Sequence, residues 1–162
     1  YINKTNIKIW IPFYKQKPIN NKQKQEKIKA KKYFTKLNIF YFSKKESAYA
    51  AEVAKFENSV DKGYADVPLS DFIINDIFYR VNQQKSAMLA TDILDNIVNE
   101  FGLRKRGVFG ANFAVLRGSN SPSILVEIGF VTNSGDMSTY GTDSSRVKLA
   151  SEIAQGVRKH FE

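Results

Sequence analysis

A chain of 162 residues with 43% hydrophobic content can build one ordinary domain with a real core. The absence of cysteine excludes disulfides and thiolate zinc sites, and no apolar run reaches the length of a membrane-spanning helix. The formal charge of +9 is uneven: residues 1–45 carry 13 Lys and one Glu, leaving 12 basic and 15 acidic residues for positions 46–162.

That lysine-rich arm comes first in chain order. Charge of this kind suggests contact with nucleic acid or another anionic polymer. No RNA-binding signature accompanies it, so a solvated tail is the preferred reading and nucleic acid is not the favoured partner. The chain begins with Tyr1 and not Met. It is therefore expected to be a piece or a trimmed product, in which a missing signal peptide means little. Pro12 and Pro18 break regular structure in residues 1–19. Residues 21–34 can form a helix, but few apolar side chains there would bury it. Residues 1–37 are thus set apart as a basic, poorly packed segment.

Residues 38–43 read as a strand. Ser43 is placed to cap the next helix, with Glu46 completing a capping box, and that helix is expected to reach about Asn58. A loop with Gly63 and Pro68 follows, then a short helical piece to Tyr79. The spacing of Ala90, Ile93, Leu94, Ile97 and Phe101 predicts a helix over 83–101, ended by Gly102. A basic turn region leads to a strand over 113–117. Residues 131–143, rich in Gly, Ser and Thr, read as a loop. A last helix over 144–161 is expected to bury Val147, Ala150, Ala154, Val157 and Phe161. Strands alternating with helices imply an α/β layered domain.

Between the last two helices lies the most informative stretch, Pro122-Ser123-Ile124-Leu125-Val126-Glu127-Ile128-Gly129-Phe130-Val131-Thr132-Asn133. A short β-branched run of this kind reads as a strand buried on both faces. Alternation puts Leu125, Glu127 and Gly129 on one side, with Ile124, Val126, Ile128 and Phe130 on the other. A carboxylate among core positions is costly unless it is paired, hydrogen-bonded or beside a metal. Glu127 lies toward the carboxyl end of the strand, where open α/β sheets place their sites. Position alone leaves two readings open, a functional carboxylate and a Glu that only salt-bridges a neighbour.

The same stretch resembles the closing motif of the zinc-dependent N-acetylmuramoyl-L-alanine amidases of the Amidase_3 type, P-S-[VI]-L-V-E-[IL]-G-F-[IVL]-[ST]-N. Arg106-Gly107-Val108 followed by Ala111-Asn112-Phe113-Ala114-Val115-Leu116-Arg117 is similar to the family's R-G-V-x-x-A-x-F-x-V-L. Ile39-Phe40-Tyr41-Phe42-Ser43, with Ala48, Ala51 and Glu57-Asn58-Ser59, looks like its strand-then-helix segment ending in E-N. The resemblance covers about residues 38–162. It implies the C-terminal part of the catalytic domain, with a central, mostly parallel sheet flanked by helices, of which only the second half is present.

The resemblance also implies chemistry. It points to a bacterial envelope enzyme whose partner is peptidoglycan. Zinc-activated water would cleave the amide between N-acetylmuramic acid and L-alanine. Glu127 inherits the role of general base. Arg106 is a candidate for binding substrate carboxylate or oxyanion, the other reading being an exposed turn charge. The family's zinc ligands, a His, a Glu and a second His, do not carry over. The second His belongs to an S-[IL]-H-A-[ND] segment before the first matched strand, where this chain has Lys, Gln and Asn. The one histidine, His160, is expected to face solvent, and Glu46, Glu52 and Glu57 have no imidazole to join them. No metal-ligating residue is therefore assigned, and the chain alone is expected to bind no zinc and to be inactive. The alternatives are a non-catalytic peptidoglycan-binding remnant and a small basic nucleic-acid-binding protein.

Overall fold

A computed structural model of the chain describes residues 8–10, 37–60, 76–117, 119–129 and 133–162. In chain order the elements are β1 (Lys8–Trp10), β2 (Asn38–Phe42), α1 (Ala48–Val60), α2 (Asp76–Phe101), β3 (Val108–Ala111), a 3-10 turn (Ala114–Leu116), β4 (Ser123–Glu127), α3 (Ser134–Tyr140) and α4 (Asp143–Phe161). The fold is mixed α/β. The strand order is β1-β4-β2-β3. β1 runs parallel to β4 and β2 parallel to β3, while the central pair, β2 and β4, is antiparallel. The sheet is therefore mixed. β1 places three residues of the basic segment on the sheet edge, ending just short of Pro12. The expected helix over residues 21–34 and the loop over 61–69 lie outside the described residues.

Strand alternation splits the core as the sequence pattern implies. Ile39, Ile124 and Val126 point into one layer with Leu89, Ala90, Ile93, Leu94 and Ile97 of α2 and with Leu149 and Ile153 of α4. Phe40 and Leu125 point the other way, onto Ala50, Val53 and Ala54 of α1 and onto Phe113 and Leu116. The sheet thus separates α1 from the α2–α4 pair. Glu127 shares the parity of Leu125 and lies on the α1 side.

Several elements differ from the sequence reading. α2 is one continuous helix of 26 residues, without the break expected between Tyr79 and Gln83. It ends as expected at Gly102, whose φ of 61° lets the Leu103 amide reach the Val98 carbonyl. The helix after β2 is capped by Ser47, not Ser43: Ser47 Oγ accepts from the Ala50 amide. Ser43 is buried and bonds Lys45 and Gln83 instead. Glu46 accepts from the Asn112 amide. The expected strand over 113–117 is a 3-10 turn, and the strand lies earlier, at Val108–Ala111. Asn58 causes the bend, donating to the Asn112 carbonyl at 2.9 Å and accepting from the Ala114 amide at 2.7 Å. The loop expected over 131–143 contains α3, started by Asn133, whose side chain accepts from the Gly135 and Asp136 amides.

The last helix buries a different face from the expected one. Leu149, Ile153 and Gly156 are buried, whereas Val147 is 71% and Phe161 50% exposed. Gly156 lets α4 come so close to α2 that a Cβ there would lie 2.6 Å from Ile93 Cγ1.

Candidate active site

Glu127 is the last residue of β4, and its cross-strand partner is Asn38, the first residue of β2. Both are buried, at 7% and 1% exposed. Antiparallel partners hold their Cβ atoms within about 5.5 Å of one another. The Asn38 amide accordingly donates to Glu127 Oε2 at 3.0 Å. Burial raises the Glu127 pKa, and the charge of Asp136 raises it further; the Asn38 hydrogen bond and the Arg106 guanidinium work against this.

α1 supplies a second wall. Tyr49, Val53 and Glu57 are spaced four apart, so they form one stripe along the helix. Burial and the charge of Glu127 raise the Tyr49 pKa, while Arg106 and Asn38 lower it. Glu57 is half-buried, and burial with the Glu127 charge pushes it up to about 7. Arg106, in the turn before β3, sets its guanidinium 5.5 Å from the centre of the Tyr49 ring. It is half-buried and not an exposed turn charge. The turn after β4 closes the other side. Gly129 has φ of 131°, and a Cβ there would lie 2.7 Å from Asp136 Cγ, so Gly129 lets the first turn of α3 close onto the end of β4. Asp136 is itself buried.

The two residues singled out from sequence, Glu127 and Arg106, are thus gathered with Asn38, Tyr49, Glu57 and Asp136. Sequence reasoning missed the roles of the last four. Asn38 carried a usable signal, as a polar residue opening a buried apolar run. Tyr49 had none, since a Tyr on a helix flank is ordinary.

His160 stands elsewhere. Its ring is 7% exposed, not solvent-facing, and its Nδ1 lies 3.7 Å from Asp92 on α2, where Lys159 also pairs. The donors that the described residues gather around Glu127 are not a zinc-binding set. Catalytic zinc takes three protein ligands. The whole chain holds one imidazole, and it lies on α4 beside Asp92, not in the cluster around Glu127. Around Glu127 stand an amide, a phenol, a guanidinium and carboxylates. Among the described residues no three His, Cys, Asp or Glu converge to hold a metal.

The chemistry available is proton transfer. A buried carboxylate of raised pKa takes a proton from water more readily than a free one, and a nearby guanidinium can hold negative charge.

Comparison with known proteins agrees with this architecture. The chain is similar to AmiA of Escherichia coli K12, an N-acetylmuramoyl-L-alanine amidase, with 33% identity over 121 residues, 75% of this chain and 40% of AmiA. It is similar to LytC of Bacillus subtilis 168, of the same description, with 36% identity over 76 residues, 47% of this chain and 15% of LytC. The fold resembles that of the N-acetylmuramoyl-L-alanine amidase of Clostridium difficile 630, with a TM-score of 0.56 and 22% identity, over 96% of this chain and 57% of that one. The chain therefore spans well under two thirds of these relatives. A match to the family model described as N-acetylmuramoyl-L-alanine amidase runs over residues 37–159, and the chain belongs to that family.

Proposed function

We propose that residues 38–162 are the base-bearing part of a peptidoglycan amidase domain, to whose sheet the basic segment that precedes them adds the edge strand β1. The bond cleaved joins N-acetylmuramic acid to L-alanine, and the place of action is the bacterial envelope. The observation that carries this reading is the buried Glu127 carboxylate at the end of β4, held by Asn38 and flanked by Arg106.

The residues act as follows. Glu127 takes a proton from a water molecule as the water oxygen bonds to the amide carbonyl carbon. The carbonyl electron pair moves to oxygen and leaves an oxyanion. The oxyanion then re-forms the carbonyl, Glu127 returns the proton to nitrogen, and the C–N bond breaks. Arg106 binds the substrate carboxylate or the oxyanion. Tyr49 holds the Arg106 guanidinium over its ring. Family members are zinc-dependent, and among the described residues no metal-binding set converges. We infer that this chain by itself is inactive.

The test grafts residues 38–162 in place of the matching segment of AmiA and measures release of stem peptides from purified sacculi. The graft is expected to hydrolyse. Glu127→Gln in it is expected to lose about 10²–10⁴ in rate, the usual contribution of a general base. Full activity in the Glu127→Gln graft would reduce Glu127 to a structural carboxylate. Sacculus binding without any release in the unmutated graft would favour a non-catalytic wall-binding role.

A further inference from the structure

The two oxygens of Glu127 are not equivalent. Oε2 accepts the Asn38 amide at 3.0 Å, and no described residue donates a hydrogen bond to Oε1. We propose that Asn38 is a positioning residue that fixes Oε2 and leaves Oε1 as the atom that takes and returns the proton. The proposal rests on reading Glu127 as the base.

Three features support it. Asn38 and Glu127 are paired through the backbone of β2 and β4, so their approach is set by the sheet and not by two flexible side chains. Asn38 occupies a fully buried position on the same face as Phe40, where an apolar residue would cost less. A buried amide needs a partner, and an ionised carboxylate accepts only, so the atom facing it must be the amide nitrogen. The third feature is chemical. An amide does not titrate, so it donates to Oε2 whether Glu127 is charged or neutral. The proton therefore resides on Oε1 when Glu127 is neutral. A lysine or arginine at position 38 would instead hold the carboxylate charged and weaken it as a base.

The experiment follows the Glu127 side-chain carbonyl carbon and the Asn38 side-chain amide by NMR during a pH titration of the full 162-residue chain. In the unmutated chain the Asn38 amide resonances should move with the Glu127 midpoint. Glu127→Gln should abolish that movement. Asn38→Leu should raise the Glu127 midpoint by about one pH unit, the loss of a hydrogen bond to a charged group, with backbone dispersion retained. Asn38 resonances indifferent to the Glu127 titration would overturn the proposal, and they are read in the unmutated chain, so they do not depend on the variant folding. An unmoved Glu127 midpoint in folded Asn38→Leu would overturn it as well. The amidase reading fails separately, through an inactive AmiA graft, and leaves this coupling in place.

Discussion

At the scale of single residues, Glu57 offers the cleanest pH signature. Its carboxyl is pushed up from 4.5 to about 7, first by burial and then by the Glu127 charge. The folded state therefore holds a proton that the unfolded chain releases in the same range. Its stabilising contribution is full below about pH 4.5 and is lost as pH rises through about 7. The slope is at most about 1.4 kcal/mol per pH unit for one group. Urea midpoints measured across this interval should fall with rising pH, and Glu57→Gln should make that fall shallower. Glu127 titrates in the same direction, so the slope should shrink and not vanish. An unchanged slope in Glu57→Gln would mean that Glu57 is solvated. One part of this cluster was legible in the sequence, the burial of Glu127. A Glu inside the run Ile124–Ile128 announces a buried carboxylate by alternation alone. Glu57, Tyr49 and Asp136 were not legible as its neighbours, because their proximity depends on how α1 and α3 pack against the end of β4, and no local spacing encodes that.

Among elements, the helices were easier to read than the turns that join them. The 3.6-residue repeat of Ala90, Ile93, Leu94 and Ile97 marks the buried face of α2 correctly. On α4 two stripes compete. The one chosen from sequence contains Val147 and Phe161, both exposed, while Leu149, Ile153 and Gly156 form the buried one. What decides is Gly156, whose missing side chain admits Ile93, a tertiary fact with no periodic signature. Two substitutions test these joints. Gly156→Ala gains about 1 kcal/mol of helix propensity. It also brings a Cβ within 2.6 Å of Ile93 Cγ1 and 2.9 Å of Ile93 Cα, and overpacking of this kind costs about 1–3 kcal/mol. Because backbone stands behind the clash, the second effect should win, and the urea midpoint should drop. A rise would show that α2 and α4 part easily. Asn58→Ala removes both hydrogen bonds that bend the chain after β3 and strands the Asn112 carbonyl and the Ala114 amide. A loss of about 1–3 kcal/mol is expected. A change near zero would mean that water replaces Asn58 at both groups.

For the whole molecule, the sheet brings proton-transfer chemistry together, with no metal-binding set among the described residues. β2 and β4 meet at Asn38 and Glu127, α1 lays Tyr49 and Glu57 beside them, and α3 closes the turn with Asp136. The single imidazole lies on α4 facing α2, with its Nδ1 3.7 Å from Asp92. Among the described residues around Glu127, zinc would have to draw its ligands from carboxylates. It would also sit near the Arg106 guanidinium, whose charge repels a cation and already offsets that of Glu127. Catalytic zinc is ordinarily held by three protein ligands that include imidazole or thiolate donors. The purified chain, dialysed after exposure to zinc, is therefore expected to retain far less than one equivalent by elemental analysis. Glu127→Gln should leave that residue unchanged, since Glu127 acts as a base and not as a ligand in this reading. Stoichiometric zinc in the unmutated chain would show that carboxylates of this cluster close on a metal. Loss of that zinc on Glu127→Gln would then make Glu127 one of its ligands. The AmiA graft carries the complementary expectation: it should hold zinc with or without Glu127, and only the unmutated form should cleave sacculi.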